Sequence, residues 1–375
     1  MRKQHEVLEI INRIKHDKKL ICIYGMGKIG TGYGKAILES LDLYPDFYCD
    51  NDSGKWNEEQ HGDEVYCISP KRLSELSNVA CFVLLGQKYE EEAINLLSGL
   101  GIDTIISWDE LCSLDIVIDK FYKKKPEHNF KERELEYKLY NNNELEYNVA
   151  NYGRKKYAIY TCITGGYDDV VEPECILEDA DYFLISDTEP KGLKVLNWIN
   201  SYDIIPAFIK DNIRRARFCK IIGYRIFKDY EYSIYIDGNV KIKENIDDYY
   251  KYVGKSGLAT HRNAYNNCLY SEGIKVIAAK RACEDEVIGQ IQCYKAEGMP
   301  RNWGEFQTAI LVRENNNLVL KKLMESWWKE VYTKSWRDQL SITYCMWKNN
   351  MNISDVGILG PNMRGNKDFE WVKSH

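Results

Sequence analysis

The stretch Glu231–Val240, EYSIYIDGNV, sets one carboxylate and one amide oxygen two residues apart at the end of a short apolar run. Ile234, Tyr235 and Ile236 read as a buried strand, and Gly238 lets the backbone turn where that strand stops. Hard cations take oxygen ligands, and Mg²⁺ or Mn²⁺ commonly bridges one or two carboxylates to phosphates. Asp237 and Asn239 are therefore metal-ligand candidates in a variant Asp-x-Asp pattern suited to a diphosphate. The plain alternative is an ordinary turn, since Asp-Gly and Gly-Asn are both turn dipeptides.

Other chemistry-bearing residues lie around it in the sequence. Asp211 to Phe227 reads as a helix in which Arg214, Arg217 and Lys220 recur every third residue and share a face. Arg suits phosphate through its fork and Lys supplies a compact charge; a solvated basic face is the alternative. Upstream, the apolar runs Tyr157–Thr161 and Tyr182–Ser186 open into Thr164-Gly165-Gly166 and Asp187. Small hydroxyls, a close backbone and one carboxylate at strand ends suit a nucleoside. Downstream, His261-Arg262 offers a ligand or proton acceptor beside a phosphate-binding cation. Glu305 follows Trp303 and is a candidate for an acceptor hydroxyl. Asp338, in Arg337-Asp338-Gln339, suits by type a helix N-cap or first turn.

These groups need strands to hold them, and the chain reads as α/β with two domains: 1–118, a charged linker 119–154, and 155–375. The first opens on an amphipathic helix over residues 1–19 and a strand, Leu20–Tyr24. That strand runs into Gly25-Met26-Gly27-Lys28-Ile29-Gly30, with a helix expected to follow. A second strand ends at Asp50, twenty residues beyond Gly30. Strand, Gly-rich turn, helix, strand, acidic residue is the context of a dinucleotide fingerprint. Gly25, Gly27, Gly30 and Asp50 are its candidate cofactor residues, and an NAD(P)-dependent oxidoreductase is the alternative function they imply. Val79–Leu85 and Thr104–Ile106 continue the pattern as strands around a helix, Glu90–Leu100. Lys123–Asn151 is highly charged, with one exposed helix expected over Lys131–Tyr140.

The bulk composition narrows the class. The chain has 375 residues with a net charge of -6, which argues against a protein whose main ligand is a nucleic-acid backbone. It carries 28 Tyr and 9 Trp, rings that suit sugar stacking and interfaces alike. None of the 12 Cys forms a C-x-x-C pair, so a zinc ribbon is not indicated and a reducing cytoplasm is expected. No stretch approaches the roughly 18 consecutive apolar residues of a membrane span. The N-terminus lacks the apolar core of a signal peptide.

YTCITGGYDD, YFLISDTE, RRARFCK, YSIYIDGNV, THRNAY and WRDQLS occur in this order. Together they resemble the glycosyltransferase-like domain family, formerly of unknown function, of plant cell-wall mucilage proteins and bacterial polysaccharide loci. The likeness covers Tyr157 to Trp347. The YGxGxxG opening of the first domain is similar to small Rossmann-like segments of bacterial polysaccharide-synthesis enzymes. The resemblance implies a small N-terminal Rossmann-like domain followed by a GT-A-like, nucleotide-diphospho-sugar transferase domain. It implies a nucleotide-sugar donor such as a UDP-sugar, Mn²⁺ or Mg²⁺, and a glycan or lipid-linked glycan acceptor in surface polysaccharide synthesis.

By that resemblance Thr161, Thr164 and Gly166 line the base and ribose, with Asp187 near the same nucleoside. Arg217 and Lys220 face the sugar or phosphate, and Asp237 and Asn239 take the metal-binding place. Asn239 departs from a second carboxylate, which puts metal dependence in question and keeps a non-catalytic glycan-binding protein as a further alternative. Asp338 becomes the first candidate for the base that deprotonates an acceptor hydroxyl. His375 is expected to close over the metal, as a terminal His does in glycogenin-like enzymes. The expected location is the cytoplasm, with attachment to the inner membrane face left open.

Overall fold

The computed structural model describes residues 2–57, 66–140, 149, 154–360 and 362–372. The chain forms two compact units, Met1–Glu127 with Tyr270–Gln292, and His128–Leu269 with Cys293–His375.

In the first unit, helix α1 (Gln4–His16) precedes strands β1 (Leu20–Tyr24), β2 (Phe47–Cys49), β3 (Cys67–Ile68), β4 (Val79–Val83) and β5 (Thr104–Ser107). Helices α2 (Lys35–Ser40), α3 (Pro70–Ser74) and α4 (Gln87–Gly99) lie between them, and α5 (Trp108–Ser113) and α6 (Asp115–Phe121) follow. The strands are all parallel in the order β3-β2-β1-β4-β5. A parallel sheet is covered on both faces, which is why LICIY and VACFV are nearly continuous apolar runs. Cys22, Cys49 and Cys81 serve as small hydrophobes in this core beside Phe47, Val83 and Leu97. All twelve cysteines of the chain are free.

The helix expected directly after Gly30 starts late. Ile29–Gly34 is a π-helical turn with Gly32 off helical geometry, and α2 begins only at Lys35.

The second unit contains β6 (Tyr157–Ile163), β7 (Ala180–Ser186), β8 (Asn197–Asn200), β9 (Tyr232–Ile236), β10 (Val240–Ile242), β11 (Leu258–Arg262), β12 (Phe306–Glu314), β13 (Gly357–Ile358) and β14 (Phe369–Trp371). Its helices are α7 (Lys131–Tyr140), α8 (Ser201–Ile204), α9 (Asn212–Ile226), α12 (Leu318–Thr333) and α13 (Gln339–Lys348). The chain between β11 and β12 forms α10 (Leu269–Ala278) and α11 (Glu284–Ala296), and includes the segment that belongs to the first unit.

The division differs from the linear one in two places. Tyr270–Gln292 packs in the first unit, where the buried Lys275 Nζ meets Asp109 Oδ1 at 2.6 Å. There the Tyr122 hydroxyl donates to the Tyr270 carbonyl at 2.7 Å. Helix α7, expected in a linker, belongs to the second unit. It buries Tyr137, its Glu136 accepts from the Tyr332 hydroxyl at 2.5 Å, and its Arg133 donates to the Lys334 carbonyl at 2.8 Å.

The seven-stranded sheet runs β13-β11-β12-β9-β6-β7-β8. β9, β6, β7 and β8 are parallel, while β12 is antiparallel to both β9 and β11. The C-terminal ends of β6, β7, β9 and β11 and the N-terminal end of β12 therefore share one edge, the side on which α/β sheets bind ligands. One face carries the core of Tyr157, Ile159, Leu184, Ile234 and Ile310. The other carries α9, and α12 packs on α9 through Phe218 and Trp328.

Candidate active site

Helix α9 delivers the cations, and its seat on the sheet is built in two ways. Gly223 lets it approach β6, since a Cβ there would lie 1.8 Å from the Tyr160 hydroxyl. Arg313 of β12, fully buried, donates from Nη1 to the Lys220 and Ile221 carbonyls at 2.6 and 3.2 Å and from Nη2 to the Tyr160 hydroxyl at 2.6 Å. That hydroxyl donates on to the Cys219 carbonyl at 2.8 Å. The result is a rigid platform with Arg217 and Lys220, one turn apart, facing the sheet edge. Sequence reasoning missed Arg313. Its signal was an Arg at an inward position of the apolar run AILVRE.

Lys220 is 2 % exposed, and its Nζ lies 2.7 Å from Asp338 Oδ2 and 3.3 Å from Asp237 Oδ1. Arg217 Nε lies 3.4 Å from Asp338 Oδ1, and the Thr308 hydroxyl donates to Asp338 Oδ2 at 2.8 Å. Burial pushes the Asp338 carboxyl up, but Lys220, Arg217 and Arg337 outweigh it and hold the group well below the usual carboxylate range. Burial likewise opposes the Arg217 charge, and Asp338 and Asp237 more than restore it.

This bears on the expectation that Asp338 acts as a base. A general base works best with a pKa near the working pH and a lone pair free to take a proton. Asp338 is held far below that pKa, and its geometry is that of a counter-ion positioning two cations. Nor is it a side-chain N-cap: it precedes α13 without a capping hydrogen bond. Arg214 leaves the expected phosphate-facing set, because it donates to the carbonyls of Val331, Tyr332 and Lys334.

Asp187, at the end of β7, organises the neighbouring loop. Its Oδ2 accepts the Gly165 N–H at 2.5 Å, and its Oδ1 accepts from the Ser201 hydroxyl at 2.5 Å and from Arg215 Nη2 at 3.0 Å. Burial raises this carboxyl, but the Gly165 N–H, Ser201 and Arg215 prevail and lower it. Thr164 donates its hydroxyl to the Asn212 carbonyl at 2.7 Å, which ties the same loop to the start of α9. Gly165 and Gly166 both adopt positive φ, at 66° and 63°, as the tight turn requires. Tyr167 and Tyr202 stand at this edge 67 % and 65 % exposed, Tyr202 with the Arg215 guanidinium 4.5 Å from its ring centre. Arg215 and these two rings were not singled out from the sequence. Arg215 was passed over because it falls off the every-third-residue face.

At the end of β9, the Asp237 N–H donates to the Ala309 carbonyl at 2.9 Å, and Val240 N–H closes the turn onto the Asp237 carbonyl at 3.0 Å. Gly238 sits in a tight space rather than in a left-handed backbone: a Cβ there would lie 3.1 Å from Ile163 Cγ1 and 3.2 Å from Asp168 Oδ2. Asp168 is thus a second carboxylate at this turn that the sequence did not single out. The Asn239 carbonyl accepts the Val372 N–H at 3.0 Å, as β14 pairs with β10. His375 lies outside the described residues.

Thr161 lines a small pocket of about 30 Å³ with Ile159, Tyr182, Leu196, Ile236 and Asp237. Its buried hydroxyl makes no hydrogen bond among the described residues. Glu305 is buried at the N-terminal end of β12, where Oε2 accepts from Asn266 Nδ2 at 3.0 Å and Asn263 Nδ2 at 3.3 Å. His261 is fully buried, its Nε2 is 3.0 Å from Asn366 Nδ2, and burial lowers its pKa to about 4. It is a neutral packing histidine of β11.

A divalent cation does not fit the Asp237 turn. Asp237 already shares the Lys220 ammonium with Asp338. One Asp237 oxygen faces a buried ammonium that such a cation would repel. No group of three or more His, Cys, Asp or Glu able to hold a metal occurs among the described residues.

The Gly-rich turn of the first unit is of another kind. Asp50 Oδ2 accepts the Met26 N–H at 2.7 Å and the Lys55 ammonium at 2.9 Å, and its Oδ1 accepts the Asp52 N–H at 3.0 Å. Burial raises this carboxyl, but those three partners prevail and lower it. Gly30 packs on the turn itself, with the Gly25 carbonyl oxygen 2.0 Å from where its Cβ would be. Gly25 has φ of 108° and lies against Leu85. A Cβ at Gly27 would meet nothing within 4 Å.

Residues 203–359 match the family described as TOD1/MUCI70, glycosyltransferase-like domain. That stretch, less than half of the chain, is similar to a glycosyltransferase-like domain. The matched stretch holds Arg217, Lys220, Asp237, Asn239, Glu305 and Asp338. It starts later than the resemblance read from the motifs, so β6 and β7, with Thr161, Thr164, Gly166 and Asp187, lie before it. No curated protein matches the chain. Among solved structures, the bifunctional glycosyltransferase WbbM in its apo form aligns at 11 % identity and a TM-score of 0.36, over 72 % of this chain and 52 % of that one. The galactosyltransferase LgtC, in complex with donor and acceptor sugar analogues, aligns at 13 % identity and a TM-score of 0.31, over 54 % of this chain and 72 % of that one. The chain thus spans about half the length of WbbM. Superpositions this loose leave the argument to the domain match and to the site itself.

Proposed function

We propose that the second unit is a GT-A-like glycosyltransferase that moves a sugar from a nucleotide-diphosphate donor to a hydroxyl of a glycan or lipid-linked glycan acceptor, in surface polysaccharide synthesis. The observation that carries this reading is the convergence of Asp187, Asp237, Arg217 and Lys220 at one edge of the sheet, three of them inside the matched domain. The loop held by Asp187, with the exposed Tyr167 and Tyr202, suits a nucleoside. The cations of α9 suit the diphosphate. In the transfer, the acceptor oxygen bonds to the anomeric carbon as the bond from that carbon to the distal phosphate oxygen breaks. The diphosphate leaves with the electron pair, and fixed cations stabilise the charge that develops on it.

Asp338 takes a positioning role here, and Glu305 holds the Asn263–Asn266 loop at the acceptor side. One observation favours a second reading, a non-catalytic glycan-binding protein: both carboxylates expected to act on the acceptor are engaged by their neighbours. A panel of UDP-, GDP- and other nucleotide-sugars, assayed for donor hydrolysis by the full chain, tests the transferase reading. Hydrolysis of at least one is expected. Asp237→Ala, which removes one of the two carboxylates that fix Lys220, should lower it with the fold retained, because Lys220 keeps Asp338 as its closer partner. Sugar binding without any turnover would favour the second reading, and no binding of any donor would overturn the transferase.

A further inference from the structure

We infer that the site holds its diphosphate ligand with the chain's own cations, Arg217 as the contacting group and Lys220 as the fixed charge beneath it, without a divalent metal. The inference rests on the transferase reading above and adds to it how the charge of the leaving group is met.

Three observations carry it. First, the place where a metal is expected, beside Asp237, already has a positive charge. The Lys220 ammonium is 2 % exposed, enclosed by the turn and by α9, and shared between Asp237 and Asp338 at 3.3 and 2.7 Å. A second cation brought to the same carboxylate meets this ammonium at short range in a poorly screened site.

Second, Arg217 is only partly spent. Its one ion pair is through Nε to Asp338 at 3.4 Å, and that Nε makes no hydrogen bond among the described residues. Its two terminal nitrogens have no hydrogen bond there either, and the side chain is 20 % exposed at the sheet edge. A guanidinium ion-paired through Nε, with its planar fork making no hydrogen bond among the described residues, has the geometry that takes two phosphate oxygens at once. Third, Asp237 and Asp338 hold Lys220, and Asp338 pairs with Arg217, before any ligand arrives. A diphosphate brought against the Arg217 fork therefore meets donors that are already fixed in place, and the buried Lys220 charge lies one helical turn behind them.

Isothermal titration of the full chain with UDP, GDP and their glucose conjugates, in EDTA and then in excess Mn²⁺, tests this. At least one nucleotide diphosphate should bind in EDTA, and Mn²⁺ should change its Kd by no more than about threefold. Arg217→Gln, whose side chain reaches solvent and whose loss leaves Lys220 on Asp338, should weaken the diphosphate by about tenfold or more. The matching nucleoside should bind the variant as it binds the wild type, a split that a general loosening of the fold would not give. Binding lost in EDTA and restored by Mn²⁺ would overturn the inference and leave the transferase standing. An Arg217→Gln variant with unchanged diphosphate affinity would also overturn it. No binding of any nucleotide in either buffer would remove both readings together.

Discussion

The Gly-rich turn of the first unit and the strand edge of the second both present glycines, an acidic residue and a basic one. They differ in what those groups have left to offer. In the first unit Asp50 spends its oxygens on the Met26 and Asp52 N–H groups and on Lys55, and Gly30 packs against Gly25 of the same turn. In the second, Asp338 and Lys220 are spent on each other, but this holds Arg217 by its neck and leaves its fork unused. A motif with correct spacing can close on itself. A functional site shows where groups are held in place and still unsatisfied.

The sharpest way to break this comparison is Lys220→Met. It removes the closest cation from the buried Asp338 and leaves Arg217 and Arg337, and removing one partner of a buried pair typically costs about 3–5 kcal/mol. Denaturant unfolding should show a loss of that size, and adding Asp338→Leu should recover most of it without restoring nucleotide binding. Full stability in the single variant would mean that the cluster is not the structural centre described here.

A smaller loss is expected from Gly30→Ala, whose Cβ overlaps the Gly25 carbonyl. Crowding of this kind costs roughly 2–3 kcal/mol. The first unit should be destabilised while titration with nucleotide-sugars is unchanged. Loss of donor binding in this variant would move the donor to the first unit and reverse the comparison.

The smallest effect separates the units by pH. Glu90, buried in the first unit, is raised to about 7 by burial and by Asp109. A carboxyl raised on folding stabilises fully below its unfolded pKa and loses that contribution as pH rises through the folded value. The first unit should therefore weaken by about 2 kcal/mol between pH 5 and pH 8. Glu90→Gln should flatten this profile in thermal melts, and a slope that persists in the variant would assign it to other groups.

The sequence by itself determined the elements. LICIY, VACFV, YFLIS and SIYI are strands because apolar runs of that length are buried on both sides. Residues 212–226 form a helix with Asp211 as its cap, since its side chain accepts the Arg214 N–H at 2.7 Å. The order of motifs was enough to indicate a glycosyltransferase-like domain, because strand ends and the turns after them are local features.

What only the tertiary structure decided is which polar groups spend one another. Asp338 reads as a free carboxylate in RDQ until α9 brings Lys220 to it from more than a hundred residues away. Arg214 reads as the equal of Arg217 until the end of α12 claims it. Arg215 and Arg313 carried no pattern, because their partners lie on other strands and helices. Tyr270–Gln292 reads as part of the second domain until Lys275 finds Asp109. Spacing along the chain fixes which face a side chain occupies; the identity of its partner depends on pairings between distant segments, and these set charge, burial and what remains free to bind.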